Sequence, residues 1–274
     1  MAIAGWLVMA NQINVPPIKR WQTWYMLIAF FYMYFPIGVL TIFSFNKSPS
    51  PSQWTGFSLE WYAKFLQNPI LLAALRNSLS VALTAVSVSA VLGTLTAVGL
   101  ARYYFPGKNL YRGLTYLPLI VPDIAIAVAT LVFFAAIKLP LSLGTIVIAH
   151  IVFCLAYVAV VVSSRLAGID PKLEEAALDL GATPVQAFLR VLLPQLLPGI
   201  LSGCLLAFIL SMDDFVIAYF TAGVGSTTLP IAIFSSLRSG GVTPELNALS
   251  VLLIIASASI AAIAEGVRSW GTHD

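Results

Sequence analysis

Charge is what this chain has least of. Only 9% of its 274 residues are charged, with 14 Lys and Arg against 11 Asp and Glu. Soluble globular domains carry roughly 25% charged residues, so this shortage excludes an ordinary soluble domain. The net charge of +3 is small and dispersed, which excludes the basic footprint needed for nucleic acid. Cysteine is scarce as well. Cys154 and Cys204 both sit inside apolar runs, so they read as packing residues and imply no disulfide framework. With no Cys/His cluster there is no metal-ligand spacing. A P-loop is missing too: Lys108 follows Gly107, but no Gly-x-x-x-x precedes it and Asn109 stands where Ser or Thr is required. Any ATP is therefore expected on another polypeptide. No cleavable signal peptide is evident, because Asn11, Gln12, Asn14 and two prolines interrupt the start and no A-x-A site follows. The first long apolar run reads as a retained helix.

Long apolar runs are what the chain does have. Hydrophobic residues make up 59% of it, and runs of about 20 apolar residues are the mark of membrane-spanning helices. Six spans are expected, at 24–44, 75–100, 114–137, 141–164, 195–220 and 245–266. A short turn at Lys138-Leu139-Pro140 joins the third and fourth into a hairpin. This leaves an N-terminal segment 1–23, a membrane domain 24–266 and a tail 267–274. Lys and Arg placement sets the orientation. With the N-terminus inside, Lys19, Arg20, Arg102, Lys108, Arg112, Arg165, Lys172, Arg190 and Arg268 are cytoplasmic. The outer segments then hold Lys47, Lys64, Arg76, Lys138 and Arg238, so both termini and the 165–194 segment are expected in the cytoplasm. The outer segment 45–74 carries Trp54, Phe57, Trp61, Tyr62 and Phe65. Trp61 reads either as part of an interfacial aromatic belt or as a contact for a partner or substrate. No internal repeat is visible, and six spans are few for a complete secondary transporter, which points to an assembly of subunits.

The polar segment 165–194 stands out between apolar spans. Asp170 and Pro171 suit a helix start, and Glu174 and Glu175 complement the dipole of its first turn. Gly181 is placed to end that helix in a left-handed conformation. Thr183 and Pro184 repeat the start signal for a second helix, which Pro194 or Pro198 should end or bend. A DNA-binding reading fails for want of a basic recognition face. A passive amphipathic loop remains open, and a docking element for a cytoplasmic partner is preferred.

The spacing Glu175-Ala176-Ala177, three residues, Gly181, nine residues, Val191, Leu193-Pro194 resembles the signature of ABC importer permeases, with Val191 where the family usually has Ile. Ser44-Phe45-Asn46, Pro122-Asp123-Ile124, His150 to Cys154, Ser211-Met212-Asp213-Asp214 and Pro244 to Leu249 look like the second permease subunit of spermidine/putrescine importers. The resemblance implies an all-α integral membrane protein with six spans and a cytoplasmic coupling-helix hairpin, the type I ABC importer permease fold. It implies a homologous permease, two ATPase subunits that carry ATP and Mg, and a periplasmic binding protein as partners in the bacterial inner membrane. No cofactor is expected on this chain. The implied coupling residues are Glu174, Glu175, Ala176, Ala177, Asp179, Gly181, Leu193 and Pro194. Those implied in polyamine uptake are Trp61, Asp123, Ser211, Asp213 and Asp214, with Glu175 assigned to coupling.

Read from the residues alone, ionisable groups inside spans are costly and face a cavity, partner or pathway. Asp123 follows Pro118 and Pro122, which should break or kink the third span. Asp213 and Asp214 lie late in the fifth span. Adjacent helical residues point about 100° apart, so only one of the two should face a pore. These carboxylates cap helix ends, pair with Arg or Lys, or form negative stations for a cation. Ser211 either donates a hydrogen bond or packs helices. His150 reads as a buried, hydrogen-bonded packing group rather than a proton relay or ligand. The stretch from Gly223 to Pro230 reads as a flexible outer loop near a gate or a binding-protein dock. The function expected is passage of a polyamine. Rival solutes are an opine, an amino acid derivative, a betaine or 2-aminoethylphosphonate, and a stand-alone secondary transporter is the rival of another class. No catalytic residue is expected.

Overall fold

The computed structural model describes residues 20–49, 53–241 and 243–270, so most of the N-terminal segment, with Lys19, and the end of the tail lie outside the described residues. Helix α1 (Arg20–Ser44) leads into a loop and the short α2 (Glu60–Gln67). Helix α3 (Pro69–Arg102) starts where Asn68 accepts hydrogen bonds from the Ile70 and Leu71 N–H groups and Pro69 supplies a preset φ. Its 34 residues exceed the roughly 20 needed to cross a bilayer, so it extends beyond the hydrocarbon layer.

Helix α4 (Lys108–Tyr116) runs through a 3₁₀ turn (Leu117–Leu119) and is followed by α5 (Asp123–Ala136) at 112°. Of the break or kink expected in the third span, the structure has the break. Pro118 and Pro122 cannot donate to the preceding turn, and Pro122 takes an extended ψ of 139°. Helix α6 (Leu143–Ala167) starts at a Ser142–Thr145 capping box. The expected hairpin of third and fourth spans is loose, since α5 packs chiefly on a later element rather than on α6.

Helices α7 (Lys172–Asp179) and α8 (Pro184–Ala187) form the polar hairpin. Of the end or bend expected at Pro194 or Pro198, the end does not occur. A π-helical turn (Phe188–Leu192) carries α8 directly into α9 (Leu193–Asp213), through both Pro194 and Pro198. The wider π turn accommodates the missing proline donor without breaking the helix. The fifth span instead breaks at its far end, where α9 stops and α10 (Val216–Thr221) starts again. Helices α11 (Leu229–Gly240) and α12 (Pro244–Trp270) complete the described chain.

Among the described residues five helices are long and apolar enough to cross a membrane, and there are six if the bent α4–α5 pair is counted as one span. Helix α6 is central, packing against α3 and α9. Ala85, Ala97, Cys154, Val158, Leu196 and Ala207 form the seam between them. Small residues suit such seams, because lipid is as apolar as the helices and close van der Waals packing must drive association. Outside the seam, Trp24, Phe31 and Tyr32 of α1 are exposed, as expected of a helix whose surroundings are lipid or another subunit.

Candidate functional site

Both helix breaks open onto one cleft. It has a volume of about 270 Å³, and its walls include Asp123, Asp213 and Asp214 together with Phe153, Tyr157 and Phe215. Asp123 is the first residue of α5, exposed by the break at Pro122. Asp213 is the last residue of α9, and the helix ends between it and Asp214. The expectation that only one of this pair faces a pore assumed a continuous helix, and the helix is broken here. Asp214 has an extended ψ of 121°, so the 100° spacing of a continuous helix no longer applies, and both carboxylates line the cleft. Asp213 is exposed, whereas Asp214 keeps only 10% of its side chain exposed.

Asp214 is also a helix cap. Its two oxygens accept from Ile217 N at 3.3 Å and Ala218 N at 2.8 Å at the start of α10. Beneath it lies His150 of α6, 1% exposed. His150 Nδ1 shares a 2.8 Å hydrogen bond with Ser211 Oγ. Its Nε2 stands 3.3 Å from Asp214 Oδ2, without the alignment of a formed hydrogen bond. The order Ser, His, Asp is that of a hydrolytic relay, but Ser211 is only 4% exposed and offers its oxygen to His150 rather than to the cleft. The spacing of His150, Phe153 and Tyr157 puts all three on one helix face. That was the available sequence signal for the ring-lined wall.

Trp61 is not part of the cleft lining. It is half-buried on α2, and its indole N–H donates to Asn46 O at 2.7 Å while Lys64 Nζ lies 4.3 Å above its ring. Asn46 is fully buried, with Nδ2 donating to Gln53 O and Oδ1 accepting from Thr55 N and Ser48 N. Trp61 thus clamps the loop that follows α1. Close by, Lys64 hydrogen-bonds Glu60 and its positive charge adds to the effect, holding that carboxyl below its ordinary value.

The Gly223–Pro230 loop is tethered, contrary to the flexible loop expected. Asn77 Nδ2 donates to Gly225 O and Thr227 O, Leu229 N donates to Ser78 Oγ, and Thr145 Oγ1 donates to Thr221 O. Gly223 passes so close to Leu141 that an added Cβ would lie 1.8 Å from its carbonyl oxygen.

In the polar hairpin, Asp170 Oδ1 accepts from Lys172 N, and Gly181 has the expected left-handed φ of 90°. Ala182 N donates to Ala177 O and Gly181 N to Leu178 O, the two bonds of a Schellman end. Thr183 and Gln186 form a reciprocal capping box. Glu174 is turned inward onto Arg102 at the end of α3. Glu175, Ala176, Asp179 and Gly181 face outward, beside exposed Leu180, Val185 and Leu189. Leu193 and Pro194 lie on the far side of the π turn, in the first turn of α9.

Residues 89–270 match the family model described as "Binding-protein-dependent transport system inner membrane component". The chain is 44% identical over 249 residues to the putrescine transport system permease protein PotI of Escherichia coli, an alignment covering 88% of each protein.

The chain belongs to this family of inner-membrane transport components.

This permease is also 38% identical to the spermidine/putrescine transport system permease protein PotC of Haemophilus influenzae, over 91% of this chain and 96% of that one. Its fold matches a bacterial ABC transporter involved in import of the acidic polysaccharide alginate, with a TM-score of 0.68 at 15% identity over 92% of this chain and 99% of that one. It also matches the inward-facing MetNI methionine ABC transporter, with a TM-score of 0.58 at 21% identity over 79% of this chain and 100% of that one. The architecture is that of type I ABC importer permeases: helical, multi-pass and of the inner membrane.

Proposed function

We propose that this permease forms half of the translocation pathway for a polyamine such as putrescine or spermidine. The observation that supports the substrate class is the cleft, where Asp123, Asp213 and Asp214 meet among three aromatic rings. Carboxylates attract an ammonium group and repel an anion, and aromatic rings such as Phe153, Tyr157 and Phe215 can add cation–π attraction. The named relatives carry the same substrate class in their names.

In this reading a homologous permease completes the pathway, and a periplasmic binding protein delivers substrate from outside. Two separate ATPase subunits bind ATP and Mg and dock on the α7–α8 hairpin, whose exposed Leu180, Val185 and Leu189 supply an apolar contact. Both termini and the hairpin are cytoplasmic. Closure of the ATPase pair moves the hairpin, and the continuous α8–α9 helix carries that movement to the break at Asp213 and Asp214. The chain contributes no bond chemistry and binds no cofactor.

The deciding experiment is ATP hydrolysis by the complete complex in lipid. The binding protein is supplied loaded with putrescine, spermidine or an uncharged amino acid derivative. Stimulation by the polyamine-loaded forms alone is expected. Stimulation by the uncharged ligand would keep the importer role and overturn the reading of the carboxylates.

A further inference from the structure

His150 is placed where neither packing nor the cleft lining accounts for it. It is 1% exposed in the middle of α6, the central helix. Ser211 holds its Nδ1 at 2.8 Å, which fixes the ring and aims Nε2 at Asp214 Oδ2, 3.3 Å away. That nitrogen is buried and has no aligned hydrogen-bond partner. An apolar side chain would fill the same space without leaving a polar atom unpaired. Asp214, for its part, sits on the break between α9 and α10, with Ile217 N and Ala218 N on one side and His150 on the other.

We propose that His150 is a positioning residue for Asp214, holding the carboxylate at the wall of the acidic cleft and linking its aim to the placement of α6 against α9. The inference rests on the cation-pathway reading given above. The atoms involved come from both sides of a helix contact: His150 from α6, Ser211 and Asp214 from α9 and the break beyond it. Any slide of α6 along α9 alters the 3.3 Å gap. With the gap tightened, the imidazole N–H bonds Oδ2 and withdraws negative charge from the cleft. With the gap opened, the carboxylate is free to meet an ammonium group. The cleft's affinity for a cation then follows the arrangement of the helices, which is what a carrier with alternating access requires.

The test uses the complete transporter in proteoliposomes with putrescine-loaded binding protein, reading uptake and ATP hydrolysis together. His150→Ala is expected to lower putrescine carried per ATP hydrolysed about tenfold, the effect of losing the hydrogen bond to a charged group that forms when the gap tightens, with assembly retained. The isosteric pair sharpens it. His150→Gln reaches the Nε2 position and is expected to restore most transport. His150→Asn reaches only the Nδ1 position, keeps Ser211 and is expected to resemble the alanine variant. A packing role would treat Gln and Asn alike, so equal transport in those two variants overturns the proposal. Combining His150→Ala with Asp214→Asn is expected to be no worse than Asp214→Asn alone, because both act on one carboxylate. Multiplying losses overturn the proposal while leaving the cation pathway intact. Normal transport by Asp214→Asn alone overturns this inference, and normal transport by Asp123→Asn and Asp213→Asn as well overturns the cation pathway.

Discussion

Arg102, in the last turn of α3, is bound to Glu174, in the first turn of α7: Nε donates to Oε1 at 2.9 Å and Nη2 lies 2.8 Å from the same oxygen. Each side chain is less than a quarter exposed, at 23% and 22%. The pair fastens the polar hairpin to the longest helix of the bundle. It also gives Glu174, one of the residues the resemblance assigns to coupling, a partner within the chain.

Arg102→Ala is therefore expected to loosen the hairpin by about 2 kcal/mol, the scale of a hydrogen bond between charged partners. Copurification of the ATPase should fall, and protease should cut more readily between α7 and α8. Unchanged copurification and cleavage would show that the pair does not hold the hairpin.

Gly181→Asp should be worse. At φ 90° an L side chain meets the carbonyl that follows it, at a cost of about 1–2 kcal/mol. The new side chain would also place a charge on the exposed docking face. The transmembrane helices should keep their far-UV circular dichroism while ATPase docking is lost. Normal docking and uptake would refute the hairpin as the coupling element.

Asp214 allows charge and capping to be separated. Asn keeps one accepting oxygen of the two that cap α10, so Asp214→Asn should lower the thermal midpoint less than Asp214→Ala while lowering polyamine uptake. Asp214→Ala should lower both, the stability by about 1 kcal/mol. Asp123→Asn and Asp213→Asn alter exposed carboxylates and should change uptake alone. Full uptake in all three Asn variants would sink the negative-station reading.

Gly223→Ala should destabilise the chain by at least about 1–3 kcal/mol, the cost of overpacking. The added methyl would overlap the Leu141 carbonyl, and the loop is tethered on both sides by Asn77 and Thr145. Thermal unfolding in detergent checks this, and an unchanged midpoint would mean that the loop can move away.

Trp61→Phe retains a ring near Lys64 but loses the indole N–H that holds Asn46 O. The loop between α1 and α2 should become more accessible to external protease. Protection equal to the parent would rule out the clamp.

The polar hairpin was legible residue by residue. Asp170, Gly181 and Thr183 announced its turns, because caps and left-handed glycines act over three or four residues. The break after Pro122 was legible for the same reason, since proline removes a local donor. The break at Asp213–Asp214 was not: no proline or glycine marks it, and Asp214 caps α10 through the Ile217 and Ala218 N–H groups. Pro194 and Pro198 signalled an end or a bend, and no local pattern showed that a π turn would let the helix run on through both.

Composition, run length and short-range capping thus determined by themselves that this chain is a bundle of membrane helices with a polar hairpin, as each depends only on near neighbours. The tertiary structure alone decided that Asp123, Asp213 and Asp214 share one cleft, that Glu174 belongs to Arg102, and that His150 stands between Ser211 and Asp214. His150 and Ser211 are 61 residues apart, and Arg102 and Glu174 are 72 apart. Pairings at such separations are set by how helices slide and rotate against one another in close packing, which no local pattern encodes.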